Sequence, residues 1–185
     1  MLELAQKLSS LKGERYKGAE IAEVLWHRDS PESIPEPLRI LSDRHGLLVV
    51  EVRGSEEVLK VTLLLRQPGQ QSPAASMPNP PRIPEEEMPN DIWHAFSKEE
   101  ISVFVEKARD KNTMHQGIRP VVPVLLLLQR LLDETAFHGC ARILLRFRHP
   151  AFAEEPLRLV SHANGNFQIF SPREILCEGC VATCR

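Results

Sequence analysis

The sequence predicts an α+β fold. An N-terminal module of three helices and a β-hairpin is joined by a proline-rich linker to a C-terminal domain of two helices and a three-stranded antiparallel sheet. Three observations lead there. Apolar residues recur at helical spacing early in each half of the chain. Late in each half they gather into Val- and Leu-rich runs bounded by turn residues. Between the halves they give way to a stretch dense in proline, which lacks a backbone donor and has a fixed φ. At 185 residues with 42% apolar content, the chain is long enough for one medium domain or two small ones.

The first segment, 1–66, is the most regular. "LELAQKLSSLKG" sets Leu4, Leu8 and Leu11 on one helical face and ends near Gly13. "KGAEIAEVLWH" carries Ile21, Val24 and Leu25 at spacings that suit a second short helix. "SIPEPLRILSDRHG" opens with prolines and closes on Gly46, the asymmetry expected of a third helix over 35–44. "LLVVEVRGSEEVLKVTLLLR" then reads as two strands around a short turn. In its order of three helices and a hairpin, this third of the chain resembles the winged-helix superfamily. The resemblance implies that the third helix would be the reading helix, presenting Arg39 and Arg44. Glu36 and Asp43 share that helix, and acids outnumber bases by one across 1–66. Such a balance repels the phosphate backbone and favours a protein-contacting module over a DNA-reading one.

Residues 67–91, "QPGQQSPAASMPNPPRIPEEEMPND", form the linker, a spacer or a proline-rich ligand. The acidic triplet within it reads as a solvated charge run. The second segment, 92–185, opens at Ser97 with Glu100 three residues on, a capping-box pattern. Ile101, Phe104, Val105 and Ala108 continue it as one apolar stripe. "RPVVPVLLLLQRLLDETAF" has its prolines at the start and is apolar on most faces, so it is the expected central core helix. "CARILLRFRHP" is a strand, and "EEPLRLVSHANGNFQIFSP" a hairpin about Asn164-Gly165, both suited to positive φ. Both halves run helices first and hairpin last, so two tandem winged-helix-like units are an economical alternative.

Three of the four cysteines close the chain in "CEGCVATCR". A C-x2-C pair supplies two thiolates from one tight turn, the spacing of a structural zinc site. Cys177 and Cys180 make that pair with Gly179 inside it, Cys184 is a third ligand, and Cys140 is the natural fourth, with His138 or His162 as substitutes. Zinc is therefore the cofactor the sequence suggests. An iron–sulfur cluster, a redox dithiol of Cys177 and Cys180, and free thiols are the other readings of the same residues.

Arg142, Arg146 and Arg148 fall at period two on one strand, with Arg158 on the next. They form a candidate basic surface for phosphate or an acidic partner, or a solvated sheet face. The seven histidines match no H-E-x-x-H spacing, and no phosphate loop, dinucleotide fingerprint or nucleophile elbow is present. Cys140 beside His138 lacks an orienting third group for nucleophilic catalysis. Net charge of −2 and 5% aromatic content give no general nucleic-acid signature. "VVPVLLLL" is far shorter than the roughly 20 residues that span a bilayer. No leader-like apolar core opens the chain. The expectation is a soluble cytoplasmic or nuclear protein, not secreted, working through protein partners as a non-catalytic adaptor or regulatory subunit, without a small-molecule substrate. A DNA-associated regulator of transcription or replication is the alternative, and a small thiol or redox protein the second.

Overall fold

The computed structural model describes residues 1–11, 16, 18–28, 36–65 and 91–183. Eight strands form one antiparallel sheet: β1 (Glu20–Arg28), β2 (Leu38–Arg44), β3 (Leu47–Arg53), β4 (Glu57–Leu64), β5 (Cys140–Phe147), β6 (Arg158–Ser161), β7 (Asn166–Phe170) and β8 (Ile175–Thr183). Their order is β2-β3-β4-β1-β5-β8-β7-β6. Each half of the chain thus lays down its first strand beside its fourth, then its third, then its second. The halves meet where β1 pairs antiparallel with β5, Glu23 opposite Arg146 and His27 opposite Arg142. The repeated strand order replaces the tandem winged-helix-like units that the sequence offered as an alternative.

Three helices complete the described fold: α1 (Leu2–Leu8), α2 (Lys98–Ala108) and α3 (Val124–Leu132). One core cluster holds buried residues from all three helices and from both halves of the sheet. Val24 and Trp26 of β1, Val50 and Val52 of β3, and Ile143 and Leu145 of β5 alternate with less buried neighbours, the period of a sheet packed on one side. α3 is the central helix that its composition predicts, with Leu125, Leu127, Leu128 and Leu131 buried. α2 buries Ile101, Phe104 and Ala108, and its capping box is formed: the Ser97 hydroxyl accepts from Glu100 N (3.0 Å), and the Glu100 carboxylate accepts from Ser97 N (2.8 Å).

This is not a winged helix joined to a second domain. The stretch expected as the second helix, "KGAEIAEVLWH", instead carries β1 from Glu20 onward. Ile21, Val24 and Leu25 fit helical spacing, but Val24 and Trp26 fit period two, and pairing with β4 on one side and β5 on the other decides between them. The expected third helix is the edge strand β2, whose alternation is broken by a bulge between Ile40 and Ser42. Arg39 and Arg44 therefore stand on a strand, and no reading helix exists there. The C-terminal segment has four strands, since β8 runs through the cysteine-rich stretch. In the β6–β7 hairpin Gly165 takes φ +81°, whereas Asn164 keeps a negative φ and its side-chain oxygen accepts from Asn166 N at 3.0 Å. Most of the proline-rich linker and the acidic triplet lie outside the described residues. Among the described residues, no helix is long and apolar enough to cross a membrane.

Candidate functional site

A cleft of about 770 Å³ opens between the two halves of the chain. Both halves supply apolar lining, Leu8, Leu11 and Ile21 from the first and Val122, Leu127 and Phe147 from the second. Most of the polar lining, Asp110, Asn112, His115, Arg148 and His149, comes from the second. An apolar cleft with a few convergent polar groups is the usual form of a small-molecule site.

The polar groups are placed by the end of α2. Arg109 takes the left-handed conformation (φ +55°) at the helix C-cap, and Asp110 N donates back to Val105 O at 3.0 Å. This reversal directs the chain out of the helix and towards the cleft. The Asp110 carboxylate then accepts from Asn112 N at 2.9 Å through Oδ1. The Asn112 side chain accepts from Met114 N at 3.2 Å and opens a single 3-10 turn, Thr113–His115. Two successive Asx-type turns therefore carry the chain from the helix to His115.

His115 is hydrogen-bonded through one ring nitrogen and faces a carboxylate with the other. Its Nδ1 lies 2.8 Å from the Val121 carbonyl oxygen. A carbonyl only accepts, so Nδ1 carries a hydrogen and donates it. Nε2 then faces Asp110 Oδ2 at 3.5 Å, the two side chains being 10% and 28% exposed. Nε2 is therefore the ring nitrogen left to exchange a proton with a bound molecule, with the Asp110 carboxylate beside it. A second pair lies nearby, with His149 Nε2 3.2 Å from Glu174 Oε2.

None of Asp110, Asn112 and His115 was singled out from the sequence, where "RDKN" closes one helical run and "TMHQG" precedes the next. The available signal was local: Asp and Asn, which favour turns, followed by His at a spacing one 3-10 turn can close. That the three converge on an apolar cleft depends on β1, β4 and α1, which are remote in sequence.

The residues that were singled out are spread through the molecule. Cys177 and Cys180 lie on a regular stretch of β8, opposite Phe147 and Leu144. Three residues apart on a strand, they point to opposite faces, so they do not share a tight turn. Cys140 is buried at the start of β5, across from Thr183. His138 is exposed with Nε2 3.3 Å from Asp133 O, and His162 is exposed in the β6–β7 turn. Cys184 lies outside the described residues, and among those described no group of three or more His, Cys, Asp or Glu is gathered as a metal site. Burial pushes the Cys177 thiol up to about 12, the reverse of a reactive redox thiolate. Gly179 is not a hinge around an ion: it leaves room for the Phe167 ring.

The arginines are largely neutralised. Arg146 Nε donates to Glu23 at 2.8 Å, and Arg148 Nη2 donates to Glu178 at 2.7 Å. These partners hold the Glu178 carboxyl below its ordinary range, chiefly through Arg148, and raise Arg146 chiefly through Glu23. Arg142 is exposed opposite His27, and the Nε of Arg158 is buried without a hydrogen-bond partner.

No protein-family model matches the chain, and no curated protein sequence matches it. Solved structures do. HtdX from Mycobacterium tuberculosis superposes with a TM-score of 0.58 at 16% identity, covering 91% of this chain and 78% of that one. A MaoC-like dehydratase from Phytophthora capsici superposes at 0.55 and 13% identity, covering 95% and 72%. This chain has their fold, the hotdog fold. A Lactobacillus plantarum protein named provisionally as an oleoyl thioesterase superposes at 0.52 and 11% identity, covering 99% and 85%. The hotdog fold removes the winged-helix module on which the adaptor and DNA-regulator expectations stood, and burial of Cys177 withdraws one thiol from the redox pair.

Proposed function

We propose that the chain is a hydro-lyase that adds water to, or removes it from, an acyl thioester, with Asp110 and His115 as the acid–base pair. The observation that carries this reading is the Asp110–His115 pair, 3.5 Å apart and facing an apolar cleft of about 770 Å³. Among structures that share the fold, the name of a dehydratase favours loss of water and that of an oleoyl thioesterase favours an acyl substrate.

The chemistry asks for few groups. In a 3-hydroxyacyl thioester the hydrogen on C2 is acidic because the carbonyl accepts the charge left when it departs. The Asp110–His115 pair takes that proton while the C3–O bond breaks. The hydroxyl leaves as water with a proton returned by the same pair, so no net proton is consumed. Hydration runs the same steps backwards, with the pair taking a proton from water. Because Nδ1 of His115 is committed to Val121 O, the exchange falls to Nε2. The Asn112 side-chain oxygen is engaged by Met114 N, which leaves its amide hydrogens for the substrate carbonyl. The apolar wall of Leu8, Leu11 and Ile21 takes the acyl chain and keeps bulk water from the pair.

The test is a spectrophotometric assay with trans-2-enoyl and 3-hydroxyacyl thioesters over a series of chain lengths, with a thiol reagent present. Turnover appears as change in the conjugated enoyl absorbance without thiol release. His115→Gln and Asp110→Asn are expected to lower kcat by roughly 10²–10⁴-fold, the range for loss of a general acid or base. Thiol release in place of enoyl chemistry, or inertness across the series, would overturn the reading.

A further inference from the structure

His115 sits in a loop, and a loop side chain keeps a catalytic pose only if something outside the cleft holds it. The residues that follow it offer little grip. Gly117 takes φ +97° and Ile118 is 93% exposed, so the residues just after His115 have no apolar anchor. What fixes the ring is the Val121 carbonyl, six residues on. Val121 is held in turn by its own neighbours.

Residues 120–122 form a short ladder against 151–153. Ala153 N donates to Pro120 O at 2.9 Å, Val122 N donates to Ala151 O at 2.8 Å, and Val121 and Phe152 face each other as an isolated bridge. Val121 N also donates to Met114 O at 2.9 Å, which ties the ladder back to the 3-10 turn. Two hydrogen bonds would let such a ladder fray, but it carries a lock at its start. The Arg119 guanidinium lies 4.0 Å over the Phe152 ring. Its Nη2 is 4.0 Å from Glu155 Oε1, and Glu155 Oε2 accepts from Phe152 N at 3.3 Å. Arg119, Phe152 and Glu155 thus close a triangle on the back of the strap whose front holds His115. None of the three lines the cleft.

Glu155 is well buried for a carboxylate, its side chain being 12% exposed. Burial pushes its carboxyl up, against the opposing pull of the Phe152 amide, Arg119 and Arg173, with Glu174 adding to the rise. Arg119 is accordingly more than a surface decoration on Phe152: it also faces a carboxylate that burial has made costly to charge.

We infer that Arg119 is a positioning residue for the candidate active site. By clamping Phe152 and Glu155 it holds the Val121 carbonyl, and through that carbonyl it sets which nitrogen of His115 bears the hydrogen. This rests on the reading of His115 as the acid–base group, but its test does not need turnover. Imidazole ¹⁵N–¹H spectra of the full chain would be recorded for wild type, Arg119→Ala, Arg119→Lys and Glu155→Gln, with His115→Gln assigning the His115 signals. Wild type is expected to show a slowly exchanging Nδ1–H. In Arg119→Ala that signal is expected to broaden or move to the Nε2–H tautomer, while backbone amide signals away from 115–122 and 151–155 stay in place. Arg119→Lys, which keeps charge without the planar stack, is expected to restore it only in part.

With an acyl substrate in hand, kcat should fall by up to about 10²-fold, the scale of a displaced catalytic group, with KM little changed. If Arg119→Ala does not fold, Glu155→Gln preserves shape and is expected to weaken the same signal. A His115 spectrum in the folded variants identical to wild type would overturn the inference. Loss of the Nδ1–H signal in a chain inert to every acyl thioester would uphold the positioning role while the proposed reaction fell.

Discussion

Replacing Gly179 with alanine tests whether "CEGC" is a strand packed under an aromatic ring. Gly179 pairs with Leu145 of β5 and Phe167 of β7. A methyl group there would strike the Cζ of Phe167, lie 2.6 Å from its Cε1 and 2.8 Å from the Leu144 carbonyl oxygen. Favourable carbon contacts lie near 3.5–4.0 Å, so each neighbour would have to retreat by about 1 Å. The Leu144 carbonyl belongs to a central strand and cannot. The Phe167 ring is 1% exposed and packs edge-on against Phe137 with centroids 5.0 Å apart, so it has no empty space to enter. Overpacking of this kind costs about 1–3 kcal/mol, and the immovable carbonyl places Gly179→Ala at the upper end. Against a total stability of roughly 5–15 kcal/mol, that is a large loss. Urea unfolding reads it as a lower midpoint with an unchanged slope. Phe167→Leu shortens the obstructing ring, so the double variant should be more stable than the sum of the two losses predicts, by about 1 kcal/mol or more. A Gly179→Ala protein within about 0.5 kcal/mol of wild type, or strict additivity with Phe167→Leu, would refute the packing argument.

Other expectations follow from the same geometry. An alkylating reagent at neutral pH should leave Cys140 and Cys177 unlabelled in the native protein and modify them only in denaturant, since both are buried and the Cys177 thiol is pushed up to about 12; rapid native labelling of Cys177 would contradict its placement. Ser97→Ala should cost about 1 kcal/mol by removing the hydroxyl that accepts from Glu100 N, measured by denaturant unfolding, and an unchanged midpoint would deny the cap any weight. Glu155 has its folded pKa raised by burial, so the folded state holds that proton more tightly than the unfolded one. Its contribution is therefore fully present below the ordinary carboxylate range and is lost as pH rises through the folded value. Relative to Glu155→Gln, wild-type stability should fall as pH rises from about 4.5, and a difference that grows in the opposite direction would show the Arg119 pair outweighing burial.

Much of the C-terminal half was legible because its signals are local. The capping box of Ser97 and Glu100, the prolines ahead of α3 and the apolar run inside it are decided within a few residues, and the structure keeps them. The β3–β4 pair reads plainly for the same reason, two Val- and Leu-rich runs around "GSEE". β1 and β2 were not legible. Each is short and its apolar spacing satisfies two periods, so the choice rests on partners: β4 and β5 for β1, and β3 for the bulged β2. β8 was hidden by cysteines whose spacing carries a chemical meaning of its own, and by Gly179, whose small size answers to Phe167 rather than to a turn.

The candidate site divides in the same way. By itself the sequence determined a capped helix with its apolar stripe reaching Ala108 and an apolar helix after it. Only the tertiary structure decided that the stretch between them brings Asp110 and His115 within 3.5 Å, that Val121 seats the imidazole, and that apolar residues of the first half line the same cleft. The physical reason is range. Caps and turns are settled by hydrogen bonds between residues two to four apart. A cleft is settled where β1 meets β5, a pairing across more than a hundred residues that no local pattern records.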